Sequence, residues 1–266
     1  VRSGAMPDDH VVRLDIDGER AVAYLTLNRP AKKNAINATM WNELLEVFRE
    51  VGDNVDDRVL VLTGAGDAFC SGADLSDPGG VVGSGLARMR HVGDVALALH
   101  RLAKPTIAKV NGVAAGAGLN MALGCDLVVA SDEARFSEIF ARRNLSLDFG
   151  GSWLLPRMIG LHKAKELAFF ADVISAAEAQ EFGIVNRVVP AAELDKFVDD
   201  WALRLAAGPP LALSMTKTML NNSAAVSMAQ ALEGEARCQS VNFETADMAE
   251  AVAAFMQKRD PTFEGR

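Results

Sequence analysis

Two segments are nearly stripped of bulky side chains: Cys70-Ser71-Gly72-Ala73-Asp74-Leu75 and Asn111-Gly112-Val113-Ala114-Ala115-Gly116-Ala117-Gly118-Leu119. Small residues at the start of a helix leave backbone N–H groups uncovered and let a ligand approach the main chain. Both segments therefore read as anion or oxyanion sites. Taken singly, each is equally well explained by close packing of a helix on a strand; it is their pairing that points to chemistry. Other nucleophilic arrangements are poorly supported: there is no GxSxG, Ser71 has no evident histidine partner, and His10, His91, His100 and His162 are scattered without metal-pair spacing.

The elements that must position these loops follow from the hydrophobic pattern. Val11–Ile16 and Arg20–Leu27, separated by Asp17 and Gly18, predict an antiparallel hairpin. Asn37 caps a helix whose apolar face is Trp41, Leu44, Leu45 and Phe48. Strands are expected over 58–63, 106–110 and 126–130, with a long loop over 64–80, a helix over 84–102 and a short helix around 119–123. Strand alternating with helix implies an α/β fold with parallel crossovers. From Gly160 onward the pattern is helical (161–171, 175–182, 191–207, 211–221, 226–242 and 245–258), with one strand at 187–189. The Leu211, Met215, Met219, Leu220, Met228 and Leu232 stripe marks packing in the core or between subunits.

Composition narrows the partners. A net charge of −8 over 266 residues argues against nucleic acid or an anionic membrane surface, both of which select for a basic excess. Cys70, Cys125 and Cys238 have no CxxC spacing and are expected to be buried thiols in a reducing, cytoplasmic setting. Residues 1–10 contain no apolar run that would read as a secretory signal. The longest uncharged stretch, 16 residues between Lys109 and Asp126, contains four glycines and two asparagines and is too short to span a membrane.

A family resemblance then emerges from specific motifs. Leu27-Asn28-Arg29-Pro30-Ala31-Lys32-Lys33-Asn34-Ala35 resembles the first motif of the enoyl-CoA hydratase/isomerase (crotonase) superfamily, Phe69–Leu75 its FxxGADL loop and Val110–Gly118 its VNGxAxGxG loop. The match continues through 150–157, Ala176 and Ala179, 183–186 and 255–263, in the family's order along nearly the whole chain. The resemblance implies an α/β spiral of ββα units over residues 1–200 and a helical trimerisation region over 201–266, assembled as a homotrimer or dimer of trimers. It implies an acyl-CoA thioester as substrate, with coenzyme A part of that substrate and neither metal nor separate cofactor required. The oxyanion amides would be those of Ala73 and Ala117. Ala117 stands where relatives commonly carry glycine, and serves equally if its φ is negative. The main chain around Ala35, Ala73, Asp74 and Leu75 would bracket the adenine and pantetheine. Lys33 would contact a phosphate, and Phe263 with Lys258 would reach the CoA of a neighbouring subunit.

The chain departs from a family hydratase at the two catalytic glutamates, whose positions hold Asn120 and Phe140. The remaining acids are Asp148, two residues before Gly150-Gly151, and Glu138. Asp148 falls where isomerase-type relatives carry a catalytic aspartate, and 136–138 with 152–156 resembles the branch that includes ring-epoxide phenylacetyl-CoA isomerases. Asp148 is thus the first choice of base, with helix capping as its plain alternative. For Glu138 a surface or salt-bridged carboxylate is the favoured reading. Phe140, Phe149 and Trp153 are expected to surround Asp148 and, for Phe140 and Trp153, to line the substrate. The expected chemistry is isomerisation through a thioester enolate, with hydration by a non-standard acid–base set and acyl-CoA binding without turnover as alternatives. A dinucleotide site at Gly116-Ala117-Gly118 is disfavoured because Met121 stands where the third glycine belongs.

Overall fold

The computed structural model describes residues 10–76 and 84–266. Most of the stretch read for a leader and residues 77–83 of the expected long loop therefore lie outside the described residues. In chain order the elements are β1 (Val12–Asp17), β2 (Val22–Leu27), α1 (Ala38–Asp53), β3 (Val59–Gly64), β4 (Ala68–Cys70), α2 (Gly85–His100), β5 (Thr106–Val110) and β6 (Val113–Ala115). There follow α3 (Ala117–Gly124), β7 (Leu127–Ser131), β8 (Arg135–Ser137), α4 (Gly151–Ile159), α5 (Leu161–Phe170), β9 (Ile174–Ser175), α6 (Ala176–Phe182) and β10 (Arg187–Val189). The chain closes with α7 (Leu194–Ala206), α8 (Pro210–Asn222), α9 (Met228–Phe243) and α10 (Ala246–Gln257).

The strands form two sheets, ordered β1-β2-β3-β5-β7-β10 and β4-β6-β8-β9. In the larger sheet every pairing is parallel except β1 with β2. Successive strands leave the large sheet and enter the small one: β3 then β4, β5 then β6, β7 then β8, each pair followed by a helix. This is the spiral of ββα units. Sequence periodicity missed the small sheet, because its strands are two or three residues long and lie within glycine- and alanine-rich or polar segments. The hairpin turn also differs from expectation. It spans residues 18–21 rather than a tight pair, with Ala21 at φ 56° and the Arg20 N–H donating to the Asp17 carbonyl.

Alternation along β3 shows where the core sits. Leu60 and Leu62 face the main core with Leu25, Leu44, Phe48 and Phe69, whereas Val59 and Val61 face a second cluster built on Leu194, Val198 and Ala202 of α7. The boundary expected after residue 200 falls inside α7, a helix packed on the sheet. Cys70 and Cys125 are buried, which pushes both thiols up to about 12, but Cys238 is only half-buried on α9, whose residues in a single chain have little to pack against. Among the described residues, no helix is long and apolar enough to cross a membrane.

Lys217 anchors the C-terminal helices to the spiral. Its Nζ lies 2.7 Å from Asp126 Oδ2, at the start of β7, and donates to the Lys104 carbonyl at 2.9 Å, with the lysine side chain only 9% exposed. Breaking a largely buried pair leaves the partner charge uncompensated. Lys217→Ala should therefore lower unfolding free energy by about 3 kcal/mol, measured by denaturant titration at fixed protein concentration.

Candidate active site

Ala73 and Ala117 lie at the carboxyl ends of the parallel strands, where open α/β sheets commonly place ligands. Ala73 bridges Ile36 in parallel pairing: the Ile36 N–H donates to the Gly72 carbonyl and the Asp74 N–H to the Ile36 carbonyl. Those bonds use the groups on either side of Ala73, so its own N–H is turned to the opposite edge. Ala117 opens α3, where the first N–H groups have no intrahelical partner. Its φ is negative, so alanine occupies this position without strain, whereas the preceding Gly116 sits at φ 54° and ψ −128°.

The two segments approach at backbone contact. A Cβ on Gly118 would fall 2.4 Å from the Cys70 carbonyl oxygen and 2.7 Å from its Cβ. One on Gly72, itself at φ 98°, would lie 3.0 Å from the Ala115 carbonyl oxygen and 3.7 Å from the Ala117 nitrogen. The parallel pairing of β4 with β6 carries the same apposition further. Two main-chain segments distant in sequence are thus held in direct contact.

The two acids lie near one another beside α3, whose Asn120 reaches both residues. Glu138, expected at the surface or in a salt bridge, is instead 1% exposed, without an ionic partner among the described residues. It ends β8, and at φ −80° and ψ 61° the chain turns there into a 3-10 segment, Ile139–Arg143. Its Oε1 is buried without a hydrogen bond, as is Asp148 Oδ1. Burial, with the Asp148 charge adding to it, pushes the Glu138 carboxyl up to about 8, against a smaller opposing effect of a bond from Asn120. Burial raises Asp148 to about 6.

Asp148 does not cap a helix: α4 begins behind Gly150, with no side-chain cap. Its carbonyl accepts from the Gly151 N–H at 2.9 Å and from Asn120 Nδ2 at 3.0 Å. Asn120, fully buried on α3, also points Nδ2 at Glu138 Oε2, 3.5 Å away. In the sequence this residue registers only as the loss of a glutamate. Its role as a bridge could be read only once α3, the end of β8 and the loop before α4 were together.

The other expected site residues separate into groups. Phe140 is buried, its ring edge 3.7 Å from where a Gly116 Cβ would stand, and so flanks the Ala117 turn. Ala35 is buried and its carbonyl accepts from Arg29, which also pairs with Asp74 at 3.0 Å. A bond from Ser76 and this guanidinium lower the Asp74 carboxyl to about 2, so it holds the 73–76 loop as a committed anion. Leu75 is exposed at the rim, and Lys33 is half-exposed and paired with Asp67.

Trp153 lies edge-on to His100 beneath the Arg157 guanidinium and lines a cavity of about 620 Å³ with Leu123 and Gly124, at the far end of α3. Phe149, at φ 48°, stacks on Trp41. Phe263 offers its carbonyl to Arg58 at 2.7 Å, next to the amino end of β3, so within one chain the tail is at the opposite end of the sheet from Ala73. Lys258 closes α10 in the left-handed conformation and is exposed.

A ββα spiral with closely apposed main-chain loops, and a buried and a half-buried carboxyl joined through one helix, is the framework of an acid–base enzyme. The sequence matches the Enoyl-CoA hydratase/isomerase family over residues 17–266, and the chain belongs to that family of acyl-CoA enzymes. It is 38% identical over 259 residues to a probable enoyl-CoA hydratase of Rhodobacter capsulatus, covering 97% of this chain and 99% of the relative. It is also 38% identical over 253 residues to the 1,2-epoxyphenylacetyl-CoA isomerase of Escherichia coli, covering 93% and 97%. Among solved structures, that of a putative enoyl-CoA hydratase from Streptomyces coelicolor superposes with a TM-score of 0.92 at 35% identity, covering 100% of this chain and 98% of the other.

The backbone contact at Gly118 has a direct consequence. Gly118→Val should push the Cys70–Ala73 segment away from α3, cutting turnover at least about tenfold, on the scale of losing part of an oxyanion contact. Steady-state kinetics of the folded variant, checked by circular dichroism, would measure it.

Proposed function

We propose that the chain catalyses isomerase-type proton transfer on an unsaturated acyl-CoA, with Asp148 as base and the Ala73 and Ala117 amides holding the thioester oxygen. The carrying observation is the pairing of the buried Glu138 with the half-buried Asp148, whose carboxyls favour different protonation states. Near pH 7 Asp148, at about 6, is mostly ionised and Glu138, at about 8, is mostly neutral. Environments that push two titratable groups apart assign one as base and the other as acid. Asp148 takes a proton from the α carbon of a 3-enoyl thioester; the C–H electron pair forms a double bond to the carbonyl carbon, and the C=O π pair collects as charge on the thioester oxygen. Donors set for that oxygen favour the transition state over the ground state. The proton then returns at the γ carbon, giving the 2-enoyl thioester.

Phe140, beside the Ala117 turn, would form the apolar wall of the acyl site, and Ala35, Ala73, Asp74 and Leu75 the main-chain track for the pantetheine and adenine. Lys33 would be drawn from Asp67 to a CoA phosphate. The exposed Met228, Leu232, Phe243, Phe255 and Met256 would be covered by further copies in a trimer or dimer of trimers, which would also bring Phe263 and Lys258 to a neighbour's CoA. Hydration is the second reading, favoured by the 38% identity to a probable enoyl-CoA hydratase; in it the neutral Glu138 would protonate carbon while Asp148 activates water.

The test is to incubate the purified protein with 2-enoyl- and 3-enoyl-CoA esters and follow products. Isomerisation should exceed hydration, and Asp148→Asn should lose at least about 100-fold in kcat. Rapid hydration of crotonyl-CoA with Asp148→Asn unimpaired would overturn the assignment; binding without turnover across a broad thioester panel would leave only a binding protein. The kcat profile should be bell-shaped, rising through about pH 6 as Asp148 ionises and falling through about pH 8 as Glu138 loses its proton.

A further inference from the structure

Asn120 occupies an unfavourable position for an amide. It is fully buried in α3 between Leu119 and Met121, its Oδ1 has no hydrogen-bond partner, and asparagine is a poor residue for a helix interior. An unsatisfied buried acceptor costs about 1–3 kcal/mol, so stability alone does not account for an amide here. The surroundings are nevertheless shaped around it. A Cβ on Gly151 would lie 2.3 Å from Asn120 Nδ2 and 2.5 Å from Oδ1, so the first turn of α4 accommodates this side chain only because Gly151 has none.

That side chain reaches two things the proposed reaction uses: Glu138 Oε2 at 3.5 Å and the main-chain carbonyl of Asp148 at 3.0 Å. It also stands three residues after Ala117, roughly 4.5 Å along the same helix axis at 1.5 Å per residue. One rigid helix therefore carries both an oxyanion amide and the group that touches the carboxyl pair. The loop so held is otherwise unusual, with Asn144, Phe149 and Gly150 all at positive φ.

We propose that Asn120 is a positioning residue for the proton transfer: its amide ties the Glu138 carboxyl and the main chain presenting Asp148 to α3, at a fixed offset from the Ala117 N–H. The proposal rests on the reading of Asp148 and Glu138 given above. Among the described residues, the one charge acting on Glu138 is that of Asp148, and Asn120 supplies its one opposing bond. Removing that bond favours the protonated form of Glu138, which moves the alkaline limb of the rate profile upward.

The experiment compares Asn120→Ala and the similarly sized, uncharged Asn120→Leu with the parent enzyme. It records kcat against pH, and the Kd of a saturated acyl-CoA that cannot react. Expected are a fall in kcat of at least about tenfold, an alkaline limb displaced to higher pH, and a Kd within about twofold. Should the alanine variant fail to fold, the leucine variant, which keeps the volume and adds no charge, carries the test alone. An unchanged kcat profile would overturn the proposal, as would a loss of kcat matched by an equal loss of saturated acyl-CoA binding, the mark of a purely structural role. Full turnover by Asp148→Asn would instead remove the underlying assignment of the base, an outcome separate from the behaviour of the Asn120 variants.

Discussion

The site depends on two stretches of main chain being pressed together without side chains between them. At Gly118 and Gly72 the Cys70–Ala73 and Ala115–Gly118 segments approach to distances that a methyl group would violate. Such contact is possible only because each segment follows its own strand out of the large sheet and is then paired again in the small one, β4 beside β6. The second sheet is therefore the clamp that sets how far apart the Ala73 and Ala117 amides stand. Phe69 of β4 is fully buried in the main core and roots the small sheet in it.

Behind the amides the chain does something costly. Glu138 and Asp148 are withdrawn from solvent with one oxygen each unpartnered, and no basic group neutralises them among the described residues. An isolated buried carboxylate responds by holding its proton more tightly, and two neighbours do so by unequal amounts. Burial raises both, and the Asp148 charge raises Glu138 further: Glu138, just after β8, is enclosed, whereas Asp148 on the following loop keeps partial access. Strongly perturbed carboxyls in a cleft are the usual company of reacting groups.

Much of this frame was legible in the sequence. β5, β10 and the cap Asn37 stand where pattern and chemistry put them, because apolar runs and side-chain caps are local signals. The two loops and Asp148 were legible too, through residue size and motif order. What stayed hidden was non-local. The burial of Glu138 depends on a turn into a 3-10 segment, the outward setting of Trp153 on which face of α4 meets α2, and the bridge through Asn120 on three elements distant in sequence. Arg29 and Asp74 likewise find each other across 45 positions. Periodicity does not report contacts of that kind.

The sequestered carboxyls also bear on how well the empty molecule holds together. Their folded pKa values, about 8 for Glu138 and about 6 for Asp148, exceed the ordinary 4.5 and 3.8. Above about pH 4 these two groups therefore bind fewer protons in the unfolded chain than in the folded one, and by linkage their contribution to conformational stability declines as pH climbs from there toward 8. Mild alkali thus acts twice on one pair of side chains, silencing proton exchange and loosening the architecture that arranged it.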